Sequence, residues 1–200
     1  MKFFGIGGAP LDSTVWDFLY SCHFPYALGY GLTETSPLIA GCGPKHKMHK
    51  KGYIGKPVKH DDVILLDKNE EGVGEIAVKG PNVMTGYYNN EELNKEVFTP
   101  EGYFKTGDLG YIDKHGYLSI RGRVKTMILG PAGENIYPES IESIINNMEF
   151  VQESLVVPGD GGLVALIKVD LEAMQEKDFE RTPTQKIKRF LYSRKKKEDK

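Results

Sequence analysis

Two β-hairpin patterns in the middle of the chain constrain its fold more than any other feature. The run DVILLD is followed by the turn-forming KNEEGVG and then by EIAVKG, and KHG separates GYID from YLSI. Short glycine-containing segments between two apolar runs are typical of turns that join antiparallel strands. We therefore predict two hairpins in residues 61–123, which together form a small barrel-like or sandwich subdomain.

The amino-terminal residues predict a strand, a turn and a helix. FFGIGGAPL predicts a strand that runs into a Gly-Gly turn, and the helix then begins near Asp12. Its predicted apolar face consists of Val15, Phe18, Leu19 and Cys22. Residues 25–43 are rich in Gly, Thr, Ser and Pro, so we expect a loop there with one short strand at YAL.

The carboxy-terminal pattern predicts a separate, small α+β unit that begins after Arg123. VKTMIL predicts a strand, GPAGEN a loop, and PESIESIINNM a helix with Pro138 in its first turn. The predicted apolar face of this helix consists of Ile141, Ile144, Ile145 and Met148. ESLVVP and LVALIKV predict a final strand pair. We place the domain boundaries at 1–60, 61–123 and 124–200, in a mixed α/β and α+β fold.

The composition is that of a soluble globular protein, with 40% hydrophobic and 27% charged residues. We expect neither a membrane span nor a secretory leader. The two cysteines, Cys22 and Cys42, lack CxxC spacing, which argues against a disulfide scaffold or a thiolate zinc site. These observations favour a reducing, cytoplasmic compartment.

Charge is divided unevenly along the chain. Residues 1–180 contain 17 basic and 26 acidic residues, whereas residues 181–200 contain 9 basic and 2 acidic residues. The simplest interpretation of the tail YSRKKKEDK is a solvated terminus, which we prefer to a phosphate, nucleic-acid or membrane contact. We accordingly expect no nucleic-acid partner.

The segment YGLTETSP contains the first candidate site. Glycines flank Tyr30 and would let the backbone approach a ligand, while the Thr33 hydroxyl and the Glu34 carboxylate suit phosphate and a hard cation respectively. In an extended strand, Thr33 and Thr35 would point away from Glu34. Taken alone, such a segment is more often a turn than a site.

Three later segments are equally ambiguous when they are read singly. Asp108 in YFKTGDLG could accept both hydroxyls of a ribose, but G-D is also an ordinary turn. Arg121, Arg123 and Lys125 alternate, which would place three cations on one side of a strand, facing an anion or solvent. Lys186 in TPTQKIKRF is one lysine among several in a polar segment.

Together and in this order, these segments resemble the adenylate-forming superfamily of acyl-CoA synthetases, luciferases and peptide-synthetase adenylation domains. The segments are GGAPL, YGLTET, GEIAVKGPNVMTGYY, YFKTGD, GRVKTMI, GENIYPESIE and TPTQKIKR. GPAGENIYPE and TPTQKIKRFLY are most similar to bacterial long-chain fatty acyl-CoA synthetases. The resemblance implies the end of the large domain with its barrel-like subdomain, followed by a small mobile domain.

The resemblance also implies an AMP-forming ligase whose substrates are a fatty acid, ATP and CoA. Mg²⁺ and a lysine would neutralise the charge that builds up when a carboxylate attacks the α-phosphate. The implied nucleotide contacts are Gly7, Gly8, Ala9 and Pro10 along the adenine, Tyr30 stacked on it, Thr33 at the α-phosphate, and Asp108 with Arg123 at the ribose.

The remaining implied roles concern the metal, the hinge and the CoA channel. Glu34 would hold Mg²⁺, Lys186 would enter the first half-reaction, and Lys125 would be the hinge of the small domain. Gly130 and Gly133 would line the pantetheine channel with bare backbone. The five histidines match no ligand or base of the family, and the HxxH pair His46 and His49 predicts no metal site.

The chain departs from the family pattern in two places. A Thr/Ser/Gly-rich phosphate loop is expected before GGAPL, and a helix and a strand are expected near residues 177–179. We therefore expect this polypeptide to be inactive or nearly so. The alternatives are an aryl or amino acid adenylating enzyme and a non-catalytic nucleotide-binding or interaction module.

Overall fold

A computed structural model describes residues 4–131, 133–160 and 162–176. The described residues form twelve strands and four α-helices, in the order β1 (Phe4–Ile6), α1 (Ser13–Ser21), β2 (Tyr26–Gly31), β3 (Leu38–Cys42), β4 (Lys56–Pro57), β5 (Asp62–Leu66), β6 (Gly74–Lys79), α2 (Glu91–Val97), β7 (Phe104–Ile112), β8 (Leu118–Arg123), β9 (Ile128–Leu129), β10 (Asn135–Ile136), α3 (Pro138–Asn146), β11 (Val151–Gly159), β12 (Gly162–Val169) and α4 (Leu171–Glu176). Lys186, the basic tail and the expected gap near 177–179 lie outside the described residues.

The first sheet contains β1, β2, β3 and β4 in that order. β1 and β2 run parallel, and the other neighbours are antiparallel. Parallel neighbours need a crossover connection, which α1 supplies as the predicted strand-turn-helix unit. The carboxyl ends of β1 and β2 consequently lie at the same edge, so residues 7–10 lie near the end of β2.

The second sheet contains β5, β6, β7 and β8 as antiparallel neighbours. Both predicted hairpins are confirmed, because β5 pairs with β6 and β7 pairs with β8. The barrel-like closure of these strands stays a prediction. A bridge between Gly55 and Leu118 joins the second sheet to the segment after β3. One core spans both sheets and contains Ile39, Ala40, Ile76, Val78, Phe104 and Leu118.

The carboxy-terminal part contains the hairpins β9–β10 and β11–β12, with α3 packed on β11. The predicted strand VKTMIL is wrong over residues 124–126, which form a turn, and only Ile128–Leu129 is extended. The amides of Thr126 and Met127 donate to the Arg123 carbonyl, at 3.3 and 3.1 Å. The chain turns there because the ladder with β7 ends at Arg123.

The two predicted apolar faces are confirmed only in part, since Leu19 of α1 packs against a core cluster whereas other predicted members are exposed. In α1 the buried residue is Trp16, which packs edge-to-face on Tyr26 at 5.9 Å, whereas Phe18 is 65% exposed. The larger indole therefore determines the buried side of the helix. In α3, Ile144 and Met148 are exposed, whereas Ile141 and Ile145 of the predicted face are partly buried.

The loop predicted for residues 25–43 is also partly wrong. Leu38–Cys42 forms β3 between β2 and β4, and Ile39 and Ala40 are fully buried. The apolar run of β3 pairs with β2. The turn-forming residues on either side of this run led to the prediction of a loop. No helix in the described part of the chain is long and apolar enough to cross a membrane.

Candidate functional site

The Gly-Gly turn lies beside the end of β2. Gly7 follows β1 directly, and a Cβ built on it would lie 3.1 Å from the Gly29 carbonyl oxygen. Gly8 has φ +83°, a conformation that favours glycine. Residues 7–10 are exposed. The structure therefore brings the predicted adenine turn (Gly7, Gly8, Ala9 and Pro10) to the strand that carries Tyr30.

Tyr30 and Asp108, from the two sheets, form a hydrogen bond. The Tyr30 hydroxyl donates to Asp108 Oδ2 at 2.8 Å, and Arg123 Nε forms an ion pair with Asp108 Oδ1, 3.0 Å away. Asp108 and Arg123 are directly opposite each other in the β7–β8 ladder. The Asp108 side chain is 7% exposed, whereas the Arg123 side chain is 60% exposed. The structure thus joins three predicted nucleotide contacts in one network.

Backbone contacts fix the position of Asp108 further. The Asp108 amide donates to Thr106 Oγ1 at 3.1 Å, and that hydroxyl donates to the Ile76 carbonyl at 2.8 Å. The Gly107 amide donates to Glu75 Oε1 at 3.1 Å. Contacts to the Asp108 side chain and to its backbone amide therefore both fix the position of this carboxylate, which lies on an interior strand of the second sheet.

The Tyr30 phenol stays protonated at neutral pH. Burial raises the pKa of Tyr30, and the neighbouring Asp108 carboxylate raises it further. The positive charge of Arg123 lowers this pKa by a smaller amount. The phenol is therefore a hydrogen-bond donor to Asp108 rather than an anion. This bond fixes the hydroxyl end of a side chain that is partly exposed.

Thr33, Glu34 and Thr35 form a 3₁₀ turn rather than an extended strand. Thr35 is fully buried, and its hydroxyl accepts from the Leu32 amide at 3.0 Å and donates to the Pro37 carbonyl at 2.7 Å. Thr33 is exposed. Thr35 therefore stabilises the turn, and the turn presents Thr33 to solvent.

Tyr87 contacts Glu34, although no sequence pattern assigns this tyrosine a role. Its hydroxyl donates to Glu34 Oε1 at 2.9 Å, and the Met84 amide donates to the Glu34 carbonyl at 2.8 Å. The hydrogen bond to Glu34 is the main cause that raises the pKa of Tyr87. The one sequence signal for this residue was its place in GPNVMTGYY, a segment of the family resemblance.

Lys125, the predicted hinge, lies in the exposed turn between β8 and β9. Next to it, Thr126 Oγ1 donates to Glu139 Oε1 of α3 at 2.5 Å. The predicted row of three cations is wrong, because Lys125 has left the strand while Arg123 pairs with Asp108. Arg121 instead lines a cavity of about 300 Å³ that Tyr111 and Tyr137 also line.

A larger cavity of about 610 Å³ lies between the 125–129 segment, α3 and β11. Its walls are mainly apolar and include Leu129 and Leu155, and its charged members are Lys125, Glu139 and Glu142. The cavity is therefore built by the small carboxy-terminal elements, which the sequence analysis grouped as one unit.

Gly130 and Gly133 lie in the loop between β9 and β10. The Gly130 amide donates to the Glu134 carbonyl at 2.8 Å, and the Gly133 amide donates to the Gly130 carbonyl at 2.9 Å. A Cβ on Gly130 would lie 2.2 Å from the Glu134 side chain, and Gly133 has φ +83°. The turn accounts for both glycines, and their role in a CoA channel stays a prediction.

The histidines have structural contacts. His49 is buried, stacks on Tyr26 at 3.9 Å, and its Nε2 lies 2.8 Å from the Tyr26 carbonyl oxygen. His46 stacks on His23 at 4.2 Å. Across residues 4–131, 133–160 and 162–176, no group of three or more His, Cys, Asp or Glu is arranged to hold a metal ion.

Comparisons with known proteins show the family to which this chain belongs. Residues 1–88 match the family model described as AMP-binding enzyme. The 2-succinylbenzoate–CoA ligase of Bacillus licheniformis is 36% identical over 94% of this chain and 41% of its own length. A long-chain-fatty-acid–CoA ligase of Mycobacterium bovis is 37% identical over 84% of this chain and 27% of its own length.

Solved structures agree with the sequence relatives. O-succinylbenzoate coenzyme A synthetase from Bacillus subtilis in complex with AMP matches with TM-score 0.74 and 29% identity, over 94% of this chain and 44% of that one. The same enzyme in complex with ATP and magnesium ion matches with TM-score 0.73 and 34% identity, over 90% of this chain and 38% of that one. The chain thus has the predicted mixed α/β fold of the adenylate-forming enzymes and spans less than half the length of these relatives.

Proposed function

We propose that this chain forms part of an ATP-dependent CoA ligase. The premise is that it has the fold of the adenylate-forming enzymes and matches the AMP-binding family over residues 1–88. The observation that carries the proposal is the network of Tyr30, Asp108 and Arg123. The activity is proposed for a protein of the relatives' length, of which this chain would supply the nucleotide-facing and mobile parts.

In this proposal the network holds the nucleoside. A carboxylate has about four acceptor positions, so Asp108 can accept ribose hydroxyls while it keeps its bonds to Tyr30 and Arg123. The anchored Tyr30 ring would stack on adenine, and residues 7–10 would lie along the edge of the base. The Bacillus subtilis synthetase, which has the same fold, is solved in complex with AMP, and this supports an AMP site in this chain.

The Thr33–Thr35 turn is proposed to hold the phosphate and its metal. Mg²⁺ commonly takes one or two protein carboxylates together with substrate phosphates and water. Glu34 fits this donor set, because Tyr87 engages Oε1 and the described residues place no hydrogen bond on Oε2. The exposed Thr33 hydroxyl would contact the α-phosphate. A bound Mg²⁺ would supply neutralisation of the phosphate charge.

The proposed reaction has two steps. The carboxylate of the acid attacks the α-phosphorus of ATP, the bond to the β-phosphate breaks, and pyrophosphate leaves. The CoA thiol then attacks the carbonyl carbon of the acyl-adenylate, and AMP leaves. Lys186 is proposed to neutralise charge in the first step. Rotation about Lys125 would then exchange Lys186 for the loop of Gly130 and Gly133.

Two classes of acid substrate are supported by different observations. GPAGENIYPE and TPTQKIKRFLY, together with the Mycobacterium bovis relative, favour long-chain fatty acids. The Bacillus licheniformis relative favours 2-succinylbenzoate. Acid-dependent exchange of pyrophosphate into ATP, measured with both acids on a protein of the relatives' length, distinguishes these substrates. Exchange with neither acid would contradict both proposed substrate classes.

The rival function is a nucleotide-binding module that does no chemistry. In a protein of full family length, the ligase proposal predicts that Lys186→Ala abolishes adenylate formation and leaves AMP affinity unchanged. Unchanged adenylate formation in Lys186→Ala would favour the rival module.

A further inference from the structure

The contacts of Glu34 suggest that a second group of residues controls its carboxylate. Glu34 is held at two points by the segment that follows β6, through the Met84 amide and the Tyr87 hydroxyl. The Tyr87 hydrogen bond engages Oε1 alone. A carboxylate held at one oxygen has a fixed orientation and still offers its other oxygen to a ligand.

Tyr87 is itself fixed by α2. The Tyr87 amide donates to Asn94 Oδ1 at 2.7 Å, and Asn94 Nδ2 donates to the Tyr87 carbonyl at 3.0 Å. This pair of hydrogen bonds uses both sides of one carboxamide and restrains the Tyr87 backbone. The side chain of Asn94 thereby positions the Tyr87 phenol.

The residues around Tyr87 leave space for the Asn94 carboxamide to reach its backbone. Gly86 has φ +145°, and a Cβ on it would lie 2.9 Å from Asn94 Nδ2. Asn90 Oδ1 accepts from the Leu93 amide at 3.2 Å and caps α2, which presents Asn94 one turn later. Glycine at position 86 therefore lets the asparagine approach the backbone of Tyr87.

We propose that Tyr87 and Asn94 are positioning residues for Glu34, and that they orient its carboxylate so that Oε2 faces a divalent cation bound to the nucleotide phosphate. This inference rests on the proposed function, because it assigns the support of that same metal site.

The experiment uses Mn²⁺ as the probe, in place of Mg²⁺, and the 200-residue chain saturated with AMP. Electron paramagnetic resonance measures free Mn²⁺ and thus its affinity for the complex. Tyr87→Phe should weaken Mn²⁺ binding about tenfold, the usual effect of removing a partner of a metal ligand. The affinity for AMP without metal should stay unchanged.

The neighbouring Tyr88 provides the matched control, because it is 93% exposed. Tyr88→Phe should bind Mn²⁺ as the wild type does, and Asn94→Ala should weaken binding in the same direction as Tyr87→Phe. In a Glu34→Gln background, Tyr87→Phe should have no further effect on Mn²⁺. A purely structural role would not depend on Glu34 in this way.

The outcomes separate this inference from the proposed function. Failure of the wild-type chain to bind AMP would overturn the proposed function and the metal site with it. AMP binding with equal Mn²⁺ affinities for Tyr87→Phe, Tyr88→Phe and wild type would overturn the inference alone. A loss of metal-free AMP binding in Tyr87→Phe would also overturn it, because the residue would then support the whole site.

Discussion

The hydroxyl of Tyr30 donates a hydrogen bond to Oδ2 of Asp108, 2.8 Å away and 78 residues later in the chain. This bond joins the end of β2 in the first sheet to β7 in the second. It lies between two segments that were each ambiguous in the sequence. The fold therefore makes one site from two segments that are distant in sequence.

Removing the Tyr30 hydroxyl should affect stability and ligand binding differently. Tyr30→Phe leaves a buried carboxylate oxygen without its donor, so we expect a loss of about 1–3 kcal/mol in the free energy of unfolding. AMP affinity should fall less than in Tyr30→Ala, because phenylalanine keeps the ring for stacking. Urea unfolding and calorimetric titration measure the two effects, with Tyr88→Phe as the control. Equal AMP affinity for Tyr30→Ala and wild type would contradict the stacking role.

The bond between Tyr87 and Glu34 predicts a titration shift. Because Glu34 raises the pKa of Tyr87, Glu34→Gln should lower that pKa toward its ordinary value of 10. The ultraviolet absorbance of tyrosinate measures the shift, as a difference between Glu34→Gln and wild type. The same substitution made in a Tyr87→Phe background should give no shift of this kind. A shift that persists there would assign the effect to another tyrosine.

Asp113 should make the fold sensitive to acid. It accepts a hydrogen bond from Lys50 Nζ, which is the main cause that lowers its pKa to about 2, and the amides of Tyr117 and His115 also donate to it. The folded pKa lies below the ordinary 3.8, so this stabilisation is complete above about pH 4 and is lost as the pH falls through about 2.

We therefore predict that Asp113→Asn lowers the melting temperature at pH 7, and that its difference from wild type shrinks between about pH 4 and pH 2. Asp17→Asn is the control, because its pair with Lys51 is exposed on both sides, at 59% and 61%. It should change the melting temperature little at any pH. A difference for Asp113→Asn that is constant with pH would contradict the account.

Gly31 should tolerate no side chain, because β2 and the segment after the 3₁₀ turn pass too closely there. A Cβ on Gly31 would lie 1.6 Å from the Pro37 carbonyl oxygen, which is backbone and has little room to move. We expect Gly31→Ala to cost about 2 kcal/mol or more in urea unfolding. Gly5→Ala, with nothing within 4 Å of its Cβ, should change stability by about 0.5 kcal/mol or less.

Elements with local signals could be predicted from the sequence. The hairpins β5–β6 and β7–β8 were predicted because apolar runs with turn residues between them are contained in one short segment. β3 was missed, because its pairing with β2 depends on tertiary contact and turn-forming residues surround it. The buried side of α1 was predicted only in part: Leu19 packs against the core, but periodicity did not identify Trp16 as the buried residue.

The site could be predicted only as a set of separate contacts. The family resemblance implies nucleotide contacts for Tyr30, Asp108 and Arg123, but no spacing in the sequence predicts that these residues contact one another. Tyr87 was missed for a similar reason, since its partner Glu34 lies 53 residues earlier. Contacts between distant segments depend on the packing of the two sheets, which local patterns do not specify.

Calorimetric titration of the chain with AMP, for wild type and for Asp108→Asn, tests the central claim most directly. The substitution keeps the shape of the side chain and removes its negative charge. That charge pairs with Arg123, and the carboxylate oxygens are the proposed acceptors for the ribose hydroxyls. We predict that wild type and the control Asp17→Asn bind AMP alike, and that Asp108→Asn binds at least about tenfold more weakly while it remains folded. A folded Asp108→Asn variant with wild-type affinity for AMP would contradict the account.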